Sequence, residues 1–159
     1  MYKKTIYSRF REMAGRWPVA TAVIEEGRTL DYATLDSMAD AIMAKFADRH
    51  PKTVGIMMSH GAEQIAAMLA VLKSGAAYVP AEPSLPRERI DYMMKTAGVE
   101  LVITDDYCRD LQKPTAQMPD RSEPDGTAYI LFTSGTSGKP KGVMVENHSV
   151  VNYAEAFEA

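Results

Sequence analysis

The 159-residue chain is 46% apolar and 25% charged with a net charge of −3, a mix that suits one globular domain with a buried core. A slightly acidic chain with no basic stripe excludes nucleic acid as its main partner. Its longest apolar runs are far too short to span a bilayer, so no membrane contact is expected.

The opening residues carry charges but no apolar centre, so they do not read as a secretory leader. Residues 19–24 read as a short strand, and a turn at Glu26-Gly27 leads to a second strand in "GRTLDY". From Tyr32 to Phe46, Leu35, Met38, Ala39, Ile42, Met43 and Phe46 recur at spacings of three and four. That is an amphipathic helix with Asp31 as its N-cap, and Pro51 ends the segment. Residues 53–58 form an apolar, β-branched run, hence a buried strand. Gly61 to Lys73 is helical again, with Ile65, Met68, Leu69 and Leu72 on one face and Gly75 beyond its end. "AAYVP" is a brief strand, and a proline-rich turn leads to a helix from Arg87 to about Ala97, closed by Gly98 before the strand "ELVITD". Strands alternating with helices, two of them apolar without alternation, predict an α/β fold whose mostly parallel sheet is flanked by helices.

Residues 105–127 are polar, hold three prolines and lack periodicity, which predicts a long surface connection between a first α/β part (1–104) and a strand–loop–strand part (128–159). Cys108 is the only cysteine. No internal disulfide or C-x-x-C site is possible, and a reducing cytoplasm is the expected setting. The sequon at Asn147 would matter only in a secreted protein. His60 and His148 read as isolated loop or helix-entry residues, and Arg87 and Arg89 as solvated residues of a first helical turn.

The strand "AYILFT" runs into a Thr133–Gly142 loop, followed by the strand "GVMVE" and a helix from Ser149. A flexible linker would not lie between two apolar strands, and a minimal hairpin turn would not need so many hydroxyls and glycines. A phosphate-binding loop explains both. Glycines let successive N–H groups converge on an anion, hydroxyls add donors, and a lysine supplies a point charge. The Walker A pattern fails: Gly135 and Gly138 are too close, and Pro140 stands where Ser or Thr is required.

"LFTSGTSGKPKGV" resembles the phosphate-loop motif of the acyl-adenylate-forming (AMP-binding) ligases, with Ser137 at the position of a usual Thr. "LKSGAAYVPAEPSLPRERIDYMM" (72–94) is similar to a segment of the amino-acid adenylation domains of nonribosomal peptide synthetases, with Glu82 at a usual Asp and Leu85 at a usual Tyr. "TLDYATLDSMADAIM" is similar to an early segment of the same domains. The resemblance covers nearly the whole chain. It implies the first subdomain of the adenylate-forming ligase fold, and a helix before the first strand. Where the family often has a His after the loop, this chain has Asn147, with His148 one place later.

The activity implied is attack of a carboxylate on the α-phosphate of Mg-ATP, then transfer of the acyl group to the phosphopantetheine thiol of a carrier protein. By resemblance Thr133, Ser134, Gly135, Thr136, Ser137 and Gly138 would wrap the β- and γ-phosphates. Lys141 would offset charge on the leaving pyrophosphate, Lys139 would face solvent, and Thr133 would be the candidate Mg contact. The family's substrate pocket, adenine- and ribose-binding residues and lid lysine have no counterpart here. The isolated chain is therefore expected to be inactive, to need the remainder of the adenylation domain, and to form a homo-oligomer through an uncovered apolar patch. A non-catalytic binding module that reuses the subdomain is the competing expectation.

Overall fold

Two apolar runs without alternation, at 53–58 and 101–104, become an inner strand and one edge of a parallel sheet; the inner strand is covered on both faces as expected, whereas the edge strand leaves Val102 38% exposed. The computed structural model describes residues 4–112, 116–134 and 138–158. Its elements are α1 (Ile6–Arg16), β1 (Thr21–Glu25), β2 (Arg28–Asp31), α2 (Tyr32–Ala44), β3 (Thr53–Met57), α3 (Ala62–Lys73), β4 (Ala77–Pro80), α4 (Arg87–Thr96), β5 (Leu101–Thr104), β6 (Thr127–Ser134), β7 (Pro140–Glu146) and α5 (Asn147–Glu158). Single 3₁₀ turns follow α2 and β5.

The main sheet has the order β5-β3-β4-β6-β7. β3, β4, β5 and β6 are parallel, and β7 returns antiparallel to β6. β1 and β2 pair only with each other, as a separate antiparallel hairpin. One face of the sheet carries Val54, Ile56, Leu101 and Ile103 against α2 and α3, with Tyr7 of α1 closing the same core. The other face holds Met57 and Phe132 against Ile90 and Met93 of α4. Each fully buried Val or Ile on such a face contributes roughly 1.5–3 kcal/mol.

Local chemistry sets the boundaries. Asp31 caps α2 by accepting from the Thr34 N–H at 2.7 Å, and the Thr34 side chain, then that backbone bond, hold its carboxyl below the usual carboxylate range. Gly75 and Gly98, both at positive φ, close α3 and α4 with Schellman bonds. The Ala76 N–H reaches the Val71 carbonyl, and the Val99 N–H reaches that of Met94.

Two boundaries and one buried face differ from the sequence reading. α2 ends at Ala44 because its last turn tightens into 3₁₀ form before Pro51. α5 begins at Asn147, not Ser149, because Asn147 is buried and held from three sides. In α3 the buried positions are mostly small, including Ala62, Ala66, Ala67 and Ala70, whereas Ile65 is 39% exposed. Alanines let α3 lie close to α2 and the sheet; of the expected face, Leu69 and Leu72 are buried and Met68 packs on the core, while Ile65 alone turns outward.

A buried polar cluster joins the helices. Lys73, 1% exposed, pairs with Asp40, 5% exposed, and its ammonium lies 4.9 Å from the centre of the Tyr7 ring. The Tyr7 hydroxyl donates to Asp36 Oδ1 at 2.8 Å, and Arg11 donates to Asp36 Oδ2 at 2.7 Å. Burial, and then the bond to Asp36, push the tyrosine's ionisation far above its ordinary range. A charge this deep persists only because a partner satisfies it.

Candidate phosphate-binding hairpin

β6 and β7 are longer than the sequence suggests. Their ladder continues past Thr133↔Lys141 to Ser134↔Pro140. The connection is therefore residues 135–139, not the whole of Thr133–Gly142. The paired strands absorb the flanking residues because main-chain bonding there satisfies groups that a loop would leave to water. Gly135, Thr136 and Ser137 fall outside the described residues.

Of the expected site residues, Thr133, Ser134, Gly138 and Lys141 are described, and all four are exposed at the hairpin tip. Thr133 and Lys141 stand directly opposite each other, so their side chains share one face. Ser134 points to the other face. Lys139 lies in the connection and is exposed. Gly138 takes φ of +80°, a conformation that glycine adopts without strain.

A close approach fixes the twist of the hairpin. Phe132 is paired with Gly142, and a Cβ on Gly142 would meet Phe132 Cζ at 3.2 Å and Ile130 Cγ2 at 3.1 Å. The ring lies over the glycine and reaches the α4 side of the sheet, leaving the Thr133–Lys141 face open.

The hairpin tip sits at the carboxyl end of β6, beside the carboxyl ends of β3 and β4. The chain leaves β3 toward α3 on one face and leaves β4 toward α4 on the other. That divergence opens a crevice of the kind that holds ligands in open α/β sheets. A cleft of about 370 Å³ occupies it, lined by His60, Gln64, Glu82, Arg89, Leu131 and Phe132 among others. His60 Nε2 lies 3.6 Å from Glu82 Oε1 across its mouth. The N-terminus of α3 borders the same end, but it is already filled: Glu25 Oε2 accepts from the Ala62 N–H at 3.0 Å. That bond is the main reason the Glu25 carboxyl titrates below its ordinary range. An anion arriving at this end finds the hairpin tip open and the α3 terminus occupied.

Asn147 escaped the sequence reading. It is 4% exposed, and its side chain meets three separate segments. Its Oδ1 accepts from the Ile6 N–H at 3.3 Å, and its Nδ2 donates to the carbonyls of Glu123 and Gly126, each at 3.2 Å. The next residue, His148, gathers with Asp125 and Glu146 within 4.8 Å. Its Nδ1 faces the Pro124 carbonyl at 3.1 Å. That nitrogen must carry a proton to bond there, so it offers no lone pair to a metal. Cys108 is buried, and its thiol is pushed up to about 11 by that burial, which leaves it a packing residue. No helix among the described residues is long and apolar enough to cross a membrane.

The chain is thus an α/β subdomain with a mostly parallel sheet, whose Thr133–Lys141 hairpin tip stands beside the switch-point crevice. The AMP-binding enzyme family model matches residues 10–121 and 107–159, and the chain belongs to that family. Among curated proteins it is 32% identical to tyrocidine synthase 1 of Brevibacillus parabrevis, over 98% of this chain and 16% of that protein. It is 36% identical to surfactin synthase subunit 2 of Bacillus subtilis (strain 168), over 92% of this chain and 5% of that protein. Among solved structures, the N-terminal subdomain of Klebsiella oxytoca NpsA in complex with 3-hydroxyanthranilyl-AMSN superposes with a TM-score of 0.82 at 26% identity. That match covers 91% of this chain and 41% of the other. The nonribosomal peptide synthetase FmoA3 in its alpha-methyl-L-serine-AMP bound form gives 0.84 at 31% identity, over 96% of this chain and 19% of the other. The chain thus spans less than a fifth of the curated relatives named here.

Proposed function

We propose that this chain is the amino-terminal part of an amino-acid adenylating ligase and that its hairpin tip is the ATP phosphate site. The observation that carries the reading is the direct pairing of Thr133 with Lys141 on an open face at the carboxyl end of the sheet. Family membership and the adenylate-bound FmoA3 relative support it.

In the reaction a carboxylate oxygen attacks the α-phosphorus of ATP, and the bond to the pyrophosphate oxygen breaks. Charge gathers on the departing pyrophosphate. The backbone N–H groups and hydroxyls of residues 133–138 and the Lys141 ammonium would meet that charge, and preorganised donors are the appropriate device for such a step. Thr133 is the side chain that would contact Mg²⁺. Attack of a carrier-protein phosphopantetheine thiol on the acyl carbon then releases AMP. The rest of the adenylation domain would supply the carboxylate pocket and the adenine and ribose contacts, in a reducing cytoplasm that suits the lone buried thiol. The isolated chain would be inactive in ATP–pyrophosphate exchange. It would self-associate through the apolar surface around Leu131, Val143, Met144, Tyr153 and Phe157, all exposed.

Calorimetric titration of pyrophosphate and of Mg-ATP into the chain tests the site. Loss of a charge-assisted contact worth about 1.5–3 kcal/mol should weaken binding by roughly tenfold or more in Lys141→Ala and leave Lys139→Ala near wild type. Equal affinity in wild type and Lys141→Ala would remove Lys141 from the site.

A further inference from the structure

We propose that Asn147 is a positioning residue. It clasps the phosphate hairpin to the start of α1, so that the N-terminal helix holds the loop-bearing strands against the parallel sheet.

The hairpin needs such a mooring. β3 registers with β4 over four residue pairs and with β5 over four, but β6 registers with β4 through the single pair Tyr78↔Tyr129. The loop-bearing strands join the sheet through β6 alone, with the Tyr78 and Tyr129 rings 5.5 Å apart and Phe132 backing them on the α4 side. At the far end of β7 the chain turns directly into α5, and Asn147 is the first residue of that helix.

A carboxamide matches what surrounds this position. The Ile6 N–H is one of the donors that every helix leaves unpaired in its first turn, and Asn147 Oδ1 is its acceptor. The Glu123 and Gly126 carbonyls each accept a backbone N–H already and take a second donor from Asn147 Nδ2. Its own backbone N–H donates to Gly126 as well, at 3.0 Å. Next to it, Thr5, the N-cap of α1, meets Ser122 Oγ at 2.7 Å. α1 is in turn anchored on α2 through Tyr7 and Arg11, both bonded to Asp36. A continuous series of bonds runs from the core, through α1, to the base of β7.

Hydrogen exchange resolved by residue tests the clasp without any ligand. Two variants act from opposite sides. Asn147→Ala removes the amide. Ile6→Pro removes the N–H along with the isoleucine side chain, and proline is well tolerated at the first position of a helix. Ile6→Ala controls for the lost side chain. With three side-chain hydrogen bonds gone in Asn147→Ala and one in Ile6→Pro, amides of β6 and β7 should exchange roughly three- to tenfold faster in both. Those of β3 and β5, and Ile6→Ala throughout, should stay near their reference rates. Equal acceleration in β3 and in β6–β7, or identical behaviour of Ile6→Pro and Ile6→Ala, would overturn the proposal. The functional consequence rests on the phosphate reading: Asn147→Ala should also weaken pyrophosphate binding severalfold. A wild-type chain that binds no pyrophosphate would defeat that reading, and the exchange result would still decide the clasp.

Discussion

The β3–α3–β4–α4–β5 core and the β6–β7 hairpin solve different problems with the same kind of residue. In the core, Val54, Ile56 and Ile103 are fully buried, and two layers of helices cover the strands. In the hairpin, Val143 and Leu131 are about half exposed and Met144 is 66% exposed. The core is held by packing, whereas the hairpin is held by its own ladder, one glycine–aromatic contact and the bonds at its base. Stability and the candidate site are thus lodged in different parts of one sheet, and substitutions should separate them.

The largest effect is expected at the buried ion pair. Asp40→Leu leaves the Lys73 ammonium buried without its partner and should cost about 3–5 kcal/mol, read as a lower urea midpoint. The double variant Asp40→Leu/Lys73→Met should recover most of that loss, because no charge is then left to desolvate. Failure of the double variant to recover would mean that the pair contributes more than its own satisfaction. Gly75→Ala comes next. Its φ of +82° is strained for alanine, and the new Cβ would lie 2.6 Å from the Arg121 carbonyl oxygen. A loss of about 2–4 kcal/mol is expected in the same measurement. The smallest effect on stability belongs to the hairpin. Val143→Thr should change the midpoint by no more than about 0.5 kcal/mol while lowering the light-scattering mass at high protein concentration. A large loss of stability there would erase the distinction between the two regions.

The parallel core was legible in the sequence because its signals are local. Asp31, Gly75 and Gly98 each act within a few residues, and apolar runs without alternation announce double-sided burial. The phosphate motif was legible because it is contiguous. What stayed hidden depends on partners far along the chain. Lys73 looks like a solvated helix end, yet it is buried because Asp40 lies across from it. Asn147 looks like an ordinary turn residue, yet its partners Ile6 and Glu123 lie 141 and 24 positions away. Ile65 was placed on the buried face by periodicity alone, but the alanines of α3 decide how closely that helix approaches its neighbours. The strands of the hairpin were drawn too short because Thr and Lys look like loop residues until a partner strand pairs with them.

The Phe132–Gly142 contact has an evolutionary corollary. The two positions share one space: with the ring in place, a Cβ at residue 142 would sit 3.2 Å from Phe132 Cζ, so the neighbours would have to give by a few tenths of an ångström. A chain that gained a methyl or larger group at 142 would have to trim residue 132 or tilt the hairpin. Across a set of related sequences, the sizes at these two positions should therefore vary inversely, a linked pair ten residues apart that straddles the 135–139 connection without entering it.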